Sequence, residues 1–133
     1  MTFVDITMVP VPRDQRDAYV EFSRRMAEVY REHGVTRIVD FWQITGFANQ
    51  NDFHADAVAY GAGELGDIAH AVGASETEAV VVSIAEWPSR EVRDKGVAAA
   101  TMDPRVTETV HEPAVFDGSR LIADSFEVAM TAE

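Results

Sequence analysis

From Phe3 to Val11 apolar and β-branched residues follow one another almost without a break, and prolines stand at positions 10 and 12. Such a run reads as a strand that stops where proline removes the ladder N–H. The period then lengthens: Tyr19, Phe22, Met26 and Val29 recur at spacings of three, four and three, one face of a helix. Asp14 stands where an N-cap is expected, with Asp17 in the first turn, and His33-Gly34 closes the helix, glycine being suited to the left-handed position. Thr36 to Thr45 returns to strand composition, and Gly46 to Asp52 reads as a polar turn.

The middle of the chain is patterned less sharply. Leu65, Ile68 and Val72 keep helical spacing, but Gly61, Gly63, Gly66 and Gly73 each weaken a helix by up to ~1 kcal/mol against alanine, so Phe53 to Ala74 is expected to be a loop with one or two short helical pieces. Ala79 to Trp87 is the clearest strand. Ser89 caps a second helix carrying Val92, Gly96, Val97 and Ala100, which must end before Asp103-Pro104 because proline pushes its predecessor out of the α region. A helical turn from Arg105 to Val110, a tight turn at Phe116 to Ser119 and a last strand from Arg120 to Met130 complete the chain. The order β-α-β-(variable)-β-α-β predicts an α+β, ferredoxin-like protomer, a four-stranded antiparallel sheet with helices on one face.

Both faces of that sheet carry apolar side chains. Val80, Val82 and Ile84 alternate with Val81, Ser83, Ala85 and Trp87; Val4, Ile6 and Met8 alternate with Phe3, Asp5, Thr7 and Val9. Two apolar faces call for two covers. Helices supply one, and a second copy of the chain is the simplest supplier of the other, so a homodimer is expected. The alternative cover is the 53–74 segment together with the C-terminus.

Composition narrows the partners. With 11 Lys+Arg against 23 Asp+Glu the 133-residue chain carries a formal charge of −12, which argues against a nucleic-acid backbone or an anionic membrane surface. There are no cysteines, so disulfides, thiolate metal sites and a cysteine nucleophile are excluded. The Ala79–Ala85 run is far short of the ~20 apolar residues that span a bilayer, and Met1 to Asp5 does not open like a targeting segment. One cytoplasmic domain over 1–133 is expected, sized to bury a core.

The residues also resemble a known family. Phe3-Val4-Asp5, Pro10-Val11-Pro12, Ala18-Tyr19 and Glu32-His33-Gly34 in the first half are joined in the second by Trp87-Pro88-Ser89, Arg93-Asp94, Met102-Asp103-Pro104-Arg105, Phe116-Asp117-Gly118-Ser119-Arg120 and Phe126-Glu127. In this order they resemble the YbaA-like family of bacterial proteins, within the dimeric α/β-barrel superfamily, over roughly residues 3–44 and 67–128. The resemblance implies two ferredoxin-like protomers whose sheets form a barrel. Superfamily relatives include cofactor-free oxygenases, isomerases, cyclases and haem-handling enzymes, among which fold alone does not choose. This chain departs from the pattern at about 46–66, where an insertion is expected.

Strand alternation supplies the candidate site. If Val4, Ile6 and Met8 face the helices, then Asp5 and Thr7 face the barrel interior, and Ile38, Asp40, Trp42, Ser83 and Trp87 can share that face. Two carboxylates, two hydroxyls and two indoles in one cavity suit a small polar-aromatic ligand, and a carboxylate so placed can act as a general base. The competing reading makes Asp5 and Asp40 members of structural ion pairs. Asp124 and Glu127 fall on opposite faces of the last strand. His33, His54, His70 and His111 include no i,i+3 or i,i+4 pair. His33 suits a helix C-terminus. His54 and His70 flank the variable segment beside Asp52, Asp56 and Asp67 as weak metal candidates, and His111 is a proton-transfer candidate. Phosphate-loop, dinucleotide and GxSxG motifs are absent, and Arg105 and Arg120 are expected to pair with carboxylates. The resulting expectation is a small-molecule enzyme of oxygenase, isomerase or cyclase type, without a cofactor, using a pocket between the sheet and its partner. Against it stand a non-catalytic ligand-binding or stress-associated homodimer, and an interaction module with no cavity.

Overall fold

In the computed structural model, which describes residues 2–45, 53, 57, 60–61 and 64–133, the chain runs β1 (Phe3–Pro12), α1 (Arg16–Glu32), β2 (Arg37–Trp42), α2 (Ile68–Ala71), β3 (Glu78–Trp87), α3 (Arg90–Met102), α4 (Pro104–Thr107) and β4 (Ile122–Glu127). Single 3-10 turns lie at Arg13–Gln15, Glu108–His111 and Gly118–Arg120. The expected insertion falls largely outside the described residues, as does His54.

The two longest β-branched runs pair with each other. β1 lies antiparallel to β3 from Phe3 opposite Trp87 to Pro12 opposite Glu78. β2 adds to the outer side of β3 and β4 to the outer side of β1, giving the order β2-β3-β1-β4. β1 and β2 are thus parallel across β3, as are β3 and β4 across β1, and each parallel pair requires a helical crossover. α1 and α3 are those crossovers, and they contact each other over one face of the sheet.

Helix ends follow local chemistry with one exception. Ser89 Oγ accepts the Val92 N–H at the start of α3, and Asp103 accepts the Arg105 N–H at the start of α4. Gly34, at φ 109°, takes the left-handed position after α1. Asp14, however, does not cap α1. The chain tightens into a 3-10 turn after Pro12, which delays the helix to Arg16 behind an uncapped Gln15.

The register also reverses the facing expected for β1. Trp87 packs against Tyr30 of α1, with ring centroids 6.4 Å apart, and shares its face with Asp5, Thr7, Val9 and Val11 of β1. That face lies under the helices. Val4, Ile6 and Met8 therefore lie on the other face, with Val82, Ile84, Val39 and Phe41. There Phe41, Ile122 and Phe126 are 51 %, 50 % and 47 % exposed, and Ile6, Met8, Ile122 and Phe126 border a depression of about 270 Å³. Asp124 sits on this open face, opposite Ile6, and Glu127 on the helix side, opposite Phe3.

Under the helices, Val9, Val11, Val81 and Tyr19 form a buried cluster with Trp42, Val115 and Phe116 packed on it. At the other end Trp87 is 1 % exposed and lies directly beneath Gly96 of α3. A Cβ at Gly96 would stand 2.4 Å from the His33 carbonyl oxygen and 2.5 Å from the Trp87 ring, so only glycine lets α3 come this close.

Residues 103–120 are tied to the body by arginines. Arg105 binds Asp103 and Glu32, Arg25 reaches Glu112 at 2.6 Å, and Arg120 donates to Glu78 at 2.8 Å and to the Gly73 carbonyl. The Arg105 hydrogen bonds hold the Asp103 carboxyl well below the usual carboxylate range. Those of Arg120, helped by the Ser75 N–H, lower Glu78 to about 2.

Two outcomes follow. Gly96→Ala gains about 1 kcal/mol of helix propensity, but the clash with backbone outweighs it, and a net loss of about 1–3 kcal/mol is expected in urea unfolding. Glu78 binds its proton more weakly folded than unfolded, so its contribution is present above about pH 4.5 and disappears as the pH falls toward 2. Glu78→Gln should therefore flatten the acid limb of stability across that window in denaturation curves.

Candidate functional site

Alternation in the strands places hydroxyls and carboxylates in the middle of the helix-covered face, between the Val9–Val81–Tyr19 cluster and Trp87. Thr7, Ser83 and Asp40 form one cross-strand row from β1 through β3 to β2; Ser125, Asp5 and Ala85 form the next, from β4 through β1 to β3. The grouping of Asp5, Thr7, Asp40, Trp42, Ser83 and Trp87 on one face is as the alternation requires. The side they occupy is not the open one: they lie between the sheet and its own helices.

The two aspartates are held differently. Asp5 accepts from Arg93 Nε at 2.9 Å and from Ser125 Oγ at 2.6 Å, with its side chain 19 % exposed. Tyr30 stands nearby, its phenol pushed up first by burial and then by the Asp5 charge, with Arg93 opposing. Asp40 is exposed at the outer strand β2 and, among the described residues, accepts only from hydroxyls, Ser83 Oγ at 2.6 Å and Ser23 Oγ of α1. No Arg, Lys or His lies within ion-pair distance of Asp40 among the described residues. Asp5 is thus half of an ion pair, whereas Asp40 is a solvent-reached carboxylate held by hydroxyls.

Aromatic rings wall the Asp40 end. Tyr19 lies 6.5 Å from Trp42 and 6.0 Å from Phe116 between ring centroids, Phe116 also meets Phe22 edge-on at 6.1 Å, and the Arg16 guanidinium sits 5.3 Å over the Trp42 ring. Burial raises the Tyr19 phenol foremost; its hydrogen bond with Ser83 opposes this and the Asp40 charge adds to it. The Trp87 indole N–H, at the opposite end, is buried and meets no acceptor among the described residues.

The histidine candidates stay apart from this layer. His111 ends an exposed 3-10 turn, with none of the layer's residues among its polar partners. His70 is exposed on α2, and its backbone N–H donates to Asp67 at 2.7 Å. No group of three or more His, Asp or Glu that could hold a metal occurs among the described residues. Two grooves, of about 500 and 470 Å³, lie at the Pro12–Glu78 end of the sheet. Both are bordered by Glu78, which Arg120 already engages.

Sequence reasoning missed Ser23, Tyr19, Tyr30 and Arg93 as members of the layer. Tyr19 and Tyr30 look like core residues. Ser23 carried a signal: it is i+4 from Tyr19, a small hydroxyl on the helix face that points at the sheet.

A split βαβ sheet with a hydroxyl-carboxylate layer beneath its helices defines a ferredoxin-like α+β protein with one polar face turned inward. Comparison with known proteins narrows this. The chain belongs to the DUF1428 family of proteins of unknown function, whose model matches residues 2–118. It is 38% identical over 127 residues to the uncharacterized protein YbaA of Escherichia coli K12, covering 96% of each chain. Solved structures share the fold at low identity. SnoaB, a cofactor-independent oxygenase from Streptomyces nogalater, aligns with TM-score 0.52 and 13% identity over 98% of this chain and 95% of its own. A dimeric ferredoxin-like protein from an uncultured marine organism aligns with TM-score 0.52 and 12% identity over 98% of both chains. Among the described residues no helix is long and apolar enough to cross a membrane.

The unequal support of the aspartates is testable by urea unfolding. Asp5→Ala leaves the Arg93 guanidinium, itself 30% exposed, without its main partner and should cost about 2 kcal/mol. Asp40→Asn, at an exposed site that keeps its hydroxyl neighbours, should change stability by less than about 0.5 kcal/mol.

Proposed function

We propose that this chain is a small-molecule enzyme of the oxygenase, isomerase or cyclase type that needs no bound cofactor, working as a homodimer. Asp40 is its proton acceptor. The observation that carries the reading is the state of that carboxylate: held in place by Ser23 and Ser83, uncompensated by any cation among the described residues, open to solvent, and beside the Tyr19–Trp42–Phe116 wall. A positioned anion next to an aromatic surface suits removal of a proton from a planar, largely apolar substrate. The cofactor-independent oxygenase among the structural neighbours supports the class but not the substrate. The apolar, helix-free face of the sheet supports pairing with a second copy, as does the neighbour described as dimeric.

The test is native mass spectrometry of gently purified protein, followed by a turnover screen of aromatic hydroxy and carbonyl compounds with oxygen uptake and product analysis. A species near twice 14.6 kDa and turnover lost in a folded Asp40→Asn variant are expected. Turnover by that variant at the wild-type rate would remove Asp40 from the chemistry. Ligand retained by the dimer without any turnover would assign the protein to the non-catalytic binding class instead.

A further inference from the structure

The open face of the sheet is apolar but not symmetric. β2 and β4 form its opposite edges, and the register aligns them in rows: Arg37 with Phe126, Val39 with Asp124, Phe41 with Ile122. The charged residues of these rows are Arg37, Asp124 and Glu86, which lies beside Arg37. Arg37 approaches Glu86 only to 3.8 Å, and its side chain is 65% exposed. Asp124 accepts the Ser125 N–H at 2.8 Å, and no cation pairs with it among the described residues. Shape divides the same way. Phe41 stands 51 % exposed on β2, whereas the depression of about 270 Å³ lies on the β1–β4 side, with Asp124 on its border. One edge carries a cation and a ring; the other carries an anion and a hollow.

Resting on the homodimer reading, we infer that the second copy covers this face with its β4 over β2, so that Arg37 of each protomer meets Asp124 of the other and each Phe41 enters the other's hollow. Two sheets stacked about 10 Å apart, with strands within about 30° of each other, give a two-fold axis two directions in the interface. An axis across the strands, through the middle row, would keep each strand over its own copy and reverse the rows. Asp124 would then lie on Asp124, Phe41 on Arg37, and hollow on hollow. That arrangement buries two like charges together, which costs heavily. An axis along the strands keeps the rows and exchanges the edges. Asp124 then comes over Val39, one two-residue step of about 7 Å from Arg37 and within reach of its long side chain. Phe41 comes over Ile122, at the hollow. Charge and shape thus select the same arrangement. Lying at the edges of an apolar centre, the two charge pairs fix the register of the protomers more than they add affinity.

The test uses Arg37→Asp and Asp124→Arg, exposed positions at which circular dichroism should match the wild type, and native mass spectrometry at micromolar protein. The wild type should be dimeric. Each variant alone sets like charges against each other at both contacts of its homodimer and should weaken dimerisation about tenfold or more. Mixed in equal parts, the two variants carry opposite charges at both contacts, so the heterodimer should exceed its statistical share. The double variant, with the charges exchanged, should dimerise like the wild type. Phe41→Ala should also weaken the dimer by emptying the hollow, and a wild-type Kd for it would overturn the fit of the ring. A dimeric wild type whose charge variants dimerise equally well and mix statistically would overturn the Arg37–Asp124 contact and leave the homodimer standing. A wild type that stays monomeric would overturn both the contact and the homodimer on which it rests.

Discussion

The antiparallel pairing of β1 with β3 is the constraint on which the rest of this structure depends. Ten residues of each strand are in register, from Phe3 opposite Trp87 to Pro12 opposite Glu78, and they occupy the two central positions of the sheet. Because side chains alternate along a strand, a slip of β3 by one residue would send Trp87 and Ser83 to the open face and bring Ile84 and Val82 under the helices. The outer strands inherit the register. Asp40 meets Ser83 because β2 pairs with β3, and Ser125 meets Asp5 because β4 pairs with β1.

That register places a polar layer between two apolar anchors. At one end Trp87 lies under Gly96, and at the other Tyr19 closes on Val9 and Val81. A layer of this kind is tolerated where its charged groups find partners, and its two carboxylates do so here in two styles. Toward β4 a carboxylate meets a guanidinium, the lower-energy arrangement for a partly buried anion. Toward β2 the carboxylate meets, among the described residues, only hydroxyls, which orient it without neutralising it. The first style pairs the charge; the second leaves it without a cationic partner among the described residues.

The long excursion from Asp103 to Arg120 packs Val115 and Phe116 on the buried cluster. Its place is set by arginines from both sides: Arg25 of α1 reaches Glu112, while Arg105 and Arg120 of the excursion reach Glu32 and Glu78. Exposed pairs contribute modestly one by one, so their effect here is to fix position more than to add stability. The position matters because Phe116 completes the aromatic wall next to Tyr19.

Local physics was legible in the sequence. The strand and helix periods, the Ser89 cap, the Gly34 close, the stop at Asp103-Pro104 and the sharing of one face by Asp5 and Thr7 all arise from neighbours in the chain. The Asp14 cap failed because a 3-10 turn competed for the same residues after Pro12. What the sequence left open was which of two apolar faces the helices cover, and Val4, Ile6 and Met8 looked as suited to it as Phe3, Val9 and Val11. Alternation says which residues travel together and is silent on direction. Direction belongs to the crossovers, whose handedness carries α1 and α3 to one side of the sheet, and to the fit of Trp87 beneath Gly96, a contact between residues nine apart in sequence that exists only once the helix has docked. For the same reason Ser23 and Arg93 joined the layer only in three dimensions: each sits on a helix whose own pattern does not record what lies beneath it.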